Sequence, residues 1–200
     1  MMDKEIMLQT HKTLEPLINL EKGLIELKQK YEKQDLPKYW EQEHISMILE
    51  GILNYQHKML IQFLRMSGCR ITEALNIRKK DLDFKNYIMS IRWLKSRKYN
   101  TRNIPLHPNL KNMLEVYVAT MKEEDKVFPI SRQRGWQIVN KYFKGSPHQF
   151  RHSFAVHWLK SGGDIIALSR ILGHSDIKTT MVYLQIVPID QGKELIKIRF

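Results

Sequence analysis

The sequence predicts a mainly α-helical chain with one small antiparallel sheet. Two observations carry that fold class. Apolar residues recur at helical spacing in segment after segment, and alternation typical of strands appears once, around residues 87–107. The 42% hydrophobic content of the 200 residues is enough for a real core. No run approaches the roughly 18 apolar residues of a membrane span, and the start "MMDKEIMLQTHK" lacks an apolar signal core. The single cysteine, Cys69, rules out an internal disulfide framework and reads as a small buried apolar residue.

Taken in order, Leu17, Leu20, Leu24, Leu27 and Tyr31 follow a 3-4-3-4 spacing, which predicts one amphipathic helix over 13–34. "KQDLPKYW" breaks the pattern, so Pro37 marks a boundary. Residues 1–36 are read as an N-terminal helix and linker, and 37–200 as the main domain. Ile45, Ile48, Leu49 and Ile52 predict a helix from Glu41, followed by a second from Tyr55 to Met66. "GCRITEALNI" gives a turn and a short helix. "YIMSIRWLK" (87–95) and "RNIPLH" (102–107) flank the polar loop "SRKYNT" and predict a hairpin, with Pro105 at a strand end. "LDF" at 82–84 adds a third short strand. Helices resume over 109–122 and 132–143. Ser146 followed by Pro147 predicts a helix start, with the helix running to Lys160. Gly162 and Gly163 end it, and Asp164 caps the next one to Leu172. "DIKTTMVYL" is expected to be helical, with Ile177, Met181 and Leu184 as its packing side. Pro188 stops it, and Asp190 caps a tail helix over 188–200.

The net charge of +12 is unevenly spread. Residues 1–36 hold six lysines against seven acids, and 37–200 carry +13. Nine basic residues lie in 78–102 against only Asp81 and Asp83. That density predicts either a polyanion-binding face or a solvated charged surface; the candidate contacts are Arg78, Lys79, Lys80, Arg97, Lys98 and Arg102.

Several residues carry chemistry. In "SPHQFRHSFAVHW", His148 and Arg151 are three apart and share a helix face, while Phe150, Phe154 and Trp158 form a separate buried stripe. His148 and His152 are also i,i+4, but the metalloprotease motif needs Glu where Gln149 stands, so no metal site is expected. Arg70 lies at the mouth of a short helix with Glu73 three residues on. That pair is either a surface ion pair or a phosphate-directed arginine oriented by a carboxylate.

The set formed by "GCRITEAL", a basic hairpin, "HQFRH", "LGH" and a tyrosine nine residues after that histidine resembles the catalytic domain of the tyrosine recombinases, the phage-integrase and Xer-like family. The resemblance covers about residues 37–187 and implies the catalytic-domain fold of that family. It implies Tyr183 as nucleophile, Arg70 and Arg151 as phosphate clamps, His148 and His174 as active-site histidines, and Glu73 as support for the first arginine. Lys95 stands for the catalytic lysine of the hairpin. The spacing to Pro105 is about two residues longer than the family's, and Lys98 is the neighbouring alternative.

The implied reaction is metal-free and cofactor-free cleavage and rejoining of double-stranded DNA through a 3′-phosphotyrosyl link, by a cytoplasmic, nucleoid-associated enzyme that does not act at a membrane. Arginine and histidine donors can stabilise the pentavalent transition state. The phenol, with a pKa near 10, needs a path for its proton. Two other functions remain open: a DNA-binding regulator of the same fold, and a topoisomerase-like enzyme. The 36 residues before Pro37 are too few for the core-binding domain of full-length relatives, so the chain is expected to be an isolated catalytic domain or a minimal recombinase. In that family such tails dock on a neighbouring protomer, which implies self-association on DNA through the tail; the alternative is a tail folded onto its own domain.

Overall fold

The computed structural model describes residues 36–95 and 98–187, without the side chains of 93–100. The helix expected over 13–34 and the tail over 188–200 lie outside the described residues, and the unit considered below begins at Pro37.

Helix α1 (Gln42–Glu50) buries Ile45 and Leu49. Helix α2 (Tyr55–Ser67) is the centre of the fold: Met59, Leu60, Ile61, Phe63 and Leu64 are all buried, so its apolar surface covers rather more than half of its circumference, as expected for a helix packed on more than one side. Asn54 caps its start by accepting from the His57 amide. Its end is set by Gly68, in the left-handed conformation at φ 63°. A Cβ there would come within 2.6 Å of the Phe154 ring, so glycine meets both a backbone and a packing requirement. Cys69 follows, buried as expected, its thiol pushed up to about 12 by burial.

After the short helix α3 (Ile71–Ala74) and a 3-10 turn (Lys79–Asp81) comes a three-stranded antiparallel sheet ordered β1 (Leu82–Asp83), β2 (Ile88–Lys95) and β3 (Lys98–Pro105). Met89 pairs with Ile104, Ile91 with Arg102 and Lys95 with Lys98. Strand β3 therefore begins earlier than the sequence predicts: "KYNT" joins the ladder, because a ladder is made by backbone groups and tolerates polar side chains.

Helices α4 (Pro108–Tyr117), α5 (Arg132–Phe143), α6 (Pro147–Lys160) and α7 (Ile165–Leu172) complete the core. Helix α4 stops short of the expected residue 122 because the chain after it is drawn back to the segment before the sheet. Lys79 N donates to Asp125 O, Lys80 N to Glu123 O and Val127 N to Ile77 O. Helices α4 and α6 pack on α2, and Trp40, Phe143 and Phe150 form an aromatic cluster with centroids 4.8–5.0 Å apart. The boundaries of α6 and the Asp164 cap of α7 fall where the sequence puts them, with Gln149 reaching back to the Ser146 amide at 2.8 Å.

The segment after His174 differs from expectation. It is one α-turn, α8 (Lys178–Met181), continued by a 3-10 turn over Val182–Gln185. Its buried side is Thr180 and Tyr183, while Ile177 and Met181 are exposed. Tyr183 packs in a second apolar cluster with Ala155, Val156, Leu168 and Leu172. The polar atoms of Thr180 and Tyr183 both have hydrogen-bond partners, so their apolar bodies can be buried without stranding a hydroxyl. Among the described residues no helix is long and apolar enough to cross a membrane.

Candidate active site

The site is built where the ends of two helices meet strand β3. Glu73 sits at the third position of α3, and its Oε2 accepts from the Arg70 backbone N–H at 2.8 Å. Oε1 accepts from Arg70 NH1 at 3.1 Å. Arg102 then clamps the same carboxylate from the sheet, donating to both oxygens at 2.9 Å. Burial alone would raise the Glu73 carboxyl; hydrogen bonding and charge from Arg102, then contacts with Arg70, outweigh it and hold the group below the usual carboxylate range.

Arg102, expected as a DNA contact on the basic face, has a side chain that is 9% exposed and clamps Glu73. The period of two explains it. Arg102 lies opposite buried Ile91, and Ile104 lies opposite buried Met89, so Arg102 falls on the core face of the sheet. Its Nε also donates to Ile171 O at 3.0 Å. Gly173, at φ 68°, lets the guanidinium lie close, since a Cβ there would meet NH1 at 3.0 Å.

Arg151 is the most buried cation of the site at 1% exposure. NH1 donates to Gly68 O at 3.0 Å and NH2 to Leu172 O at 2.6 Å, so it joins the C-terminal carbonyls of α2 and α7. Burial, followed by repulsion from Arg70, pulls its pKa down to about 10. Arg70 remains exposed at the surface. Arg70, Arg102 and Arg151 are gathered near one carboxylate, Glu73, and clustered guanidinium groups are the donor set that suits a phosphate oxyanion.

The histidines line the same place. His174 follows Gly173, and its Nδ1 is 2.8 Å from Thr180 Oγ1; burial, then Arg151, Arg70 and Arg102, pull it down to about 4. His148 is exposed, edge-on to His152 with centroids 4.5 Å apart; desolvation, then Arg151 and Arg70, lower its pKa. Tyr183 is 3% exposed, and its hydroxyl lies 2.8 Å from His152 Nδ1. Burial raises the phenol, and Arg151 partly offsets this.

The structure therefore brings Arg70, Glu73, His148, Arg151, His174 and Tyr183 together. It adds Arg102 and His152, which the sequence reading did not place here. His152 could have been found from its i,i+4 spacing to His148, weighed above only as a metal pattern. The side chains of Lys95, Arg97 and Lys98 lie outside the described residues. The candidate DNA contacts Arg78, Lys79 and Lys80 form ion pairs with the acidic turn: Lys80 with Glu124 at 2.6 Å, Arg78 with Glu124 and Lys79 with Glu123 at 3.5 Å. All three side chains remain partly exposed.

A tyrosine-bearing turn thus lies beside clustered arginines and histidines, on a helical domain with a three-stranded sheet. Residues 38–188 match the model of the phage integrase family, and the chain belongs to that family. It is 29% identical over 168 residues to the tyrosine recombinase XerA of Pyrococcus horikoshii, a match covering 76% of this chain and 58% of that protein. Its fold is similar to the crystal structure of a XerA recombinase, with a TM-score of 0.67 at 21% identity, covering 84% of this chain and 66% of that one. It is also similar to XerH site-specific recombinase bound to a palindromic difH substrate, with a TM-score of 0.58 at 21% identity over 82% of this chain and 54% of that one. The chain spans a little over half the length of the XerA protein it matches.

Proposed function

We propose that this chain is the catalytic unit of a site-specific DNA recombinase that breaks and rejoins strands through a 3′-phosphotyrosyl intermediate. The observation that carries this is the placement of a fully buried arginine, Arg151, within electrostatic reach of Tyr183 on the neighbouring turn and of Arg70. A DNA phosphate has the charge and geometry that these guanidinium groups bind. Arg70 and Arg151 would bind its non-bridging oxygens, with Glu73 and Arg102 fixing Arg70, and His148 and His174 as further donors. Tyr183 would attack phosphorus in line, and a lysine of the hairpin would protonate the departing 5′-oxygen. The covalent link conserves the phosphodiester energy, so a 5′-hydroxyl can reseal it without ATP. Incubation with a nicked duplex, from which the cleaved strand diffuses away, should trap a protein–DNA adduct on a denaturing gel. Its absence would favour a DNA-binding regulator, and relaxation without exchange between two sites would favour a topoisomerase. The setting is cytoplasmic DNA.

Lys95 and Lys98 pair with one another across the hairpin, and a mutational comparison tests which of them acts. Lys95→Ala should slow cleavage by about 10²- to 10⁴-fold, the range of a lost general acid. Lys98→Ala should mainly weaken binding. A 5′-bridging sulfur substrate, whose leaving group needs no proton, should rescue Lys95→Ala; rescue of Lys98→Ala instead reverses the roles.

Protomers are proposed to assemble on DNA through residues 188–200, which carry Ile189, Leu195, Ile196 and Ile198. Deleting them should leave single-site binding intact and remove cooperative binding to paired sites in band-shift titrations. Unfolding of the truncated protein would place the tail in its own core.

A further inference from the structure

We propose that His152 is the general base that takes the proton of Tyr183, a catalytic role for a histidine outside the set named above; the proposal rests on the recombinase reading and deepens it. The hydroxyl of Tyr183 lies 2.8 Å from His152 Nδ1, within the distance needed for direct proton transfer. The residue is 3% exposed, so the phenol proton is shielded from water and His152 is the partner the fold gives it. The phenol donates and Nδ1 accepts, which requires a neutral imidazole with its proton on Nε2.

The surroundings favour that neutral form. Burial lowers the imidazole to about 4, followed by His148 on the same helix, Arg151 beside it and His174 beyond α7. These are the charged and titratable groups that act on it, and all disfavour a second positive charge. An arriving phosphate would bring a negative charge beside the same ring. That would raise the basicity of His152 when the phenol must lose its proton, and leave it low when no DNA is present. The nucleophile would thus be held as a neutral phenol in the free protein and activated by the substrate's own charge. His148 lies edge-on to His152, with centroids 4.5 Å apart, and among the described residues the phenol's hydrogen-bond partner is His152.

The step balances. The Oη–H bond of Tyr183 breaks and its proton passes to His152 Nδ1. Oη forms a bond to phosphorus while the P–O5′ bond breaks, and O5′ takes its proton from the lysine of the hairpin. On rejoining, the 5′-hydroxyl gives its proton to that lysine and attacks phosphorus. The imidazolium then returns its proton to Oη as the phosphotyrosyl bond breaks.

The test is the rate of adduct formation on nicked duplex across pH 6–9, with the full chain. His152→Asn keeps an acceptor near the Nδ1 position without basicity, and His152→Ala removes it. Both should lower the rate at pH 7 by about 10²- to 10⁴-fold. The variants' residual rate should climb about tenfold per pH unit as hydroxide or spontaneous ionisation takes over, whereas the wild type should be nearly flat above neutrality. Replacing Tyr183 by a difluorotyrosine, whose phenol ionises near neutrality, should restore most of the lost rate in both variants. A wild-type rate in His152→Asn overturns the assignment. So does a loss that keeps the wild-type pH profile and ignores the fluorinated tyrosine, since that marks a packing role. If the wild type forms no adduct, the recombinase reading falls with it; an adduct in the wild type that forms at an unchanged rate, or with an unchanged pH profile and no rescue, in the variants overturns the general base alone.

Discussion

Tyr183→Phe should abolish the covalent protein–DNA adduct while leaving the fold and DNA affinity in place. The substitution removes one oxygen. The ring keeps its apolar contacts with Ala155, Val156, Leu168 and Leu172, so no cavity opens. The lost bond to His152 is worth about 1 kcal/mol, a shift of only a few degrees in Tm for a chain of this size. His152 is half-buried. Affinity rests on many phosphate contacts, each adding about −0.9 to the log–log salt slope, and a tyrosine hydroxyl is not among them. Adduct on a denaturing gel, Tm and the salt dependence of binding therefore separate cleanly. A mutant that still forms adduct at the wild-type level would move the nucleophile elsewhere, and one that unfolds would make Tyr183 a core residue.

The contacts of the candidate site that were legible in the sequence are those whose geometry is local. Arg70 and Glu73 occupy one helical turn, so their i,i+3 spacing brings them together without help from the rest of the fold. The start of α6 at Ser146–Pro147 and the ends at Gly68 and Gly173 are also local, because caps are chosen by the residues within a turn of them. What the sequence does not show around the Arg70–Glu73 pair is Arg102. That guanidinium arrives from a strand 29 residues away and buries the carboxylate. Its inward position was implicit in the alternation of Arg102, Ile104 and Leu106, but an arginine in a basic stretch reads first as surface. The same long-range logic hid the partners of Arg78, Lys79 and Lys80, whose acidic turn lies more than 40 residues on. The packing side of the tyrosine segment was misread for another reason. Hydropathy selects Ile177 and Met181, whereas the fold buries Thr180 and Tyr183, each with its hydroxyl bonded to a histidine. A polar atom with a partner costs little to bury, and the partner is invisible until the helices are assembled.

Arg151→Gln should cost far more in catalysis than in binding or in stability. Adduct formation is expected to fall by about 10³-fold or more, beyond the range for removing one neutral oxyanion donor, because a full charge is lost with the hydrogen bonds. DNA affinity should fall by less than about tenfold, since one phosphate contact among many is removed. The stability argument runs on two opposed effects. Arg151 holds Gly68 O and Leu172 O, and losing those bonds strands carbonyls at the ends of two helices. Yet its pKa is pulled from the ordinary 12.5 down to about 10, so the charged form is disfavoured in the free protein by on the order of 3 kcal/mol. The group is charged in both folded and unfolded states at neutral pH, so this cost is present there and is relieved only as pH rises through and beyond the folded value. A glutamine amide can still donate to one carbonyl and carries no charge. The two effects nearly cancel, and the free variant should melt within about 5 °C of the wild type. The difference should appear on adding an anion. Sulfate or DNA that binds the folded state raises Tm by mass action, and the wild type, whose buried guanidinium gains a counter-ion, should rise more than Arg151→Gln. Melting curves with and without sulfate, beside adduct rates and band shifts, measure all three quantities. Equal losses of affinity and rate would make Arg151 a binding residue, and a collapse in the variant's Tm without DNA would make it a structural pin between α2 and α7.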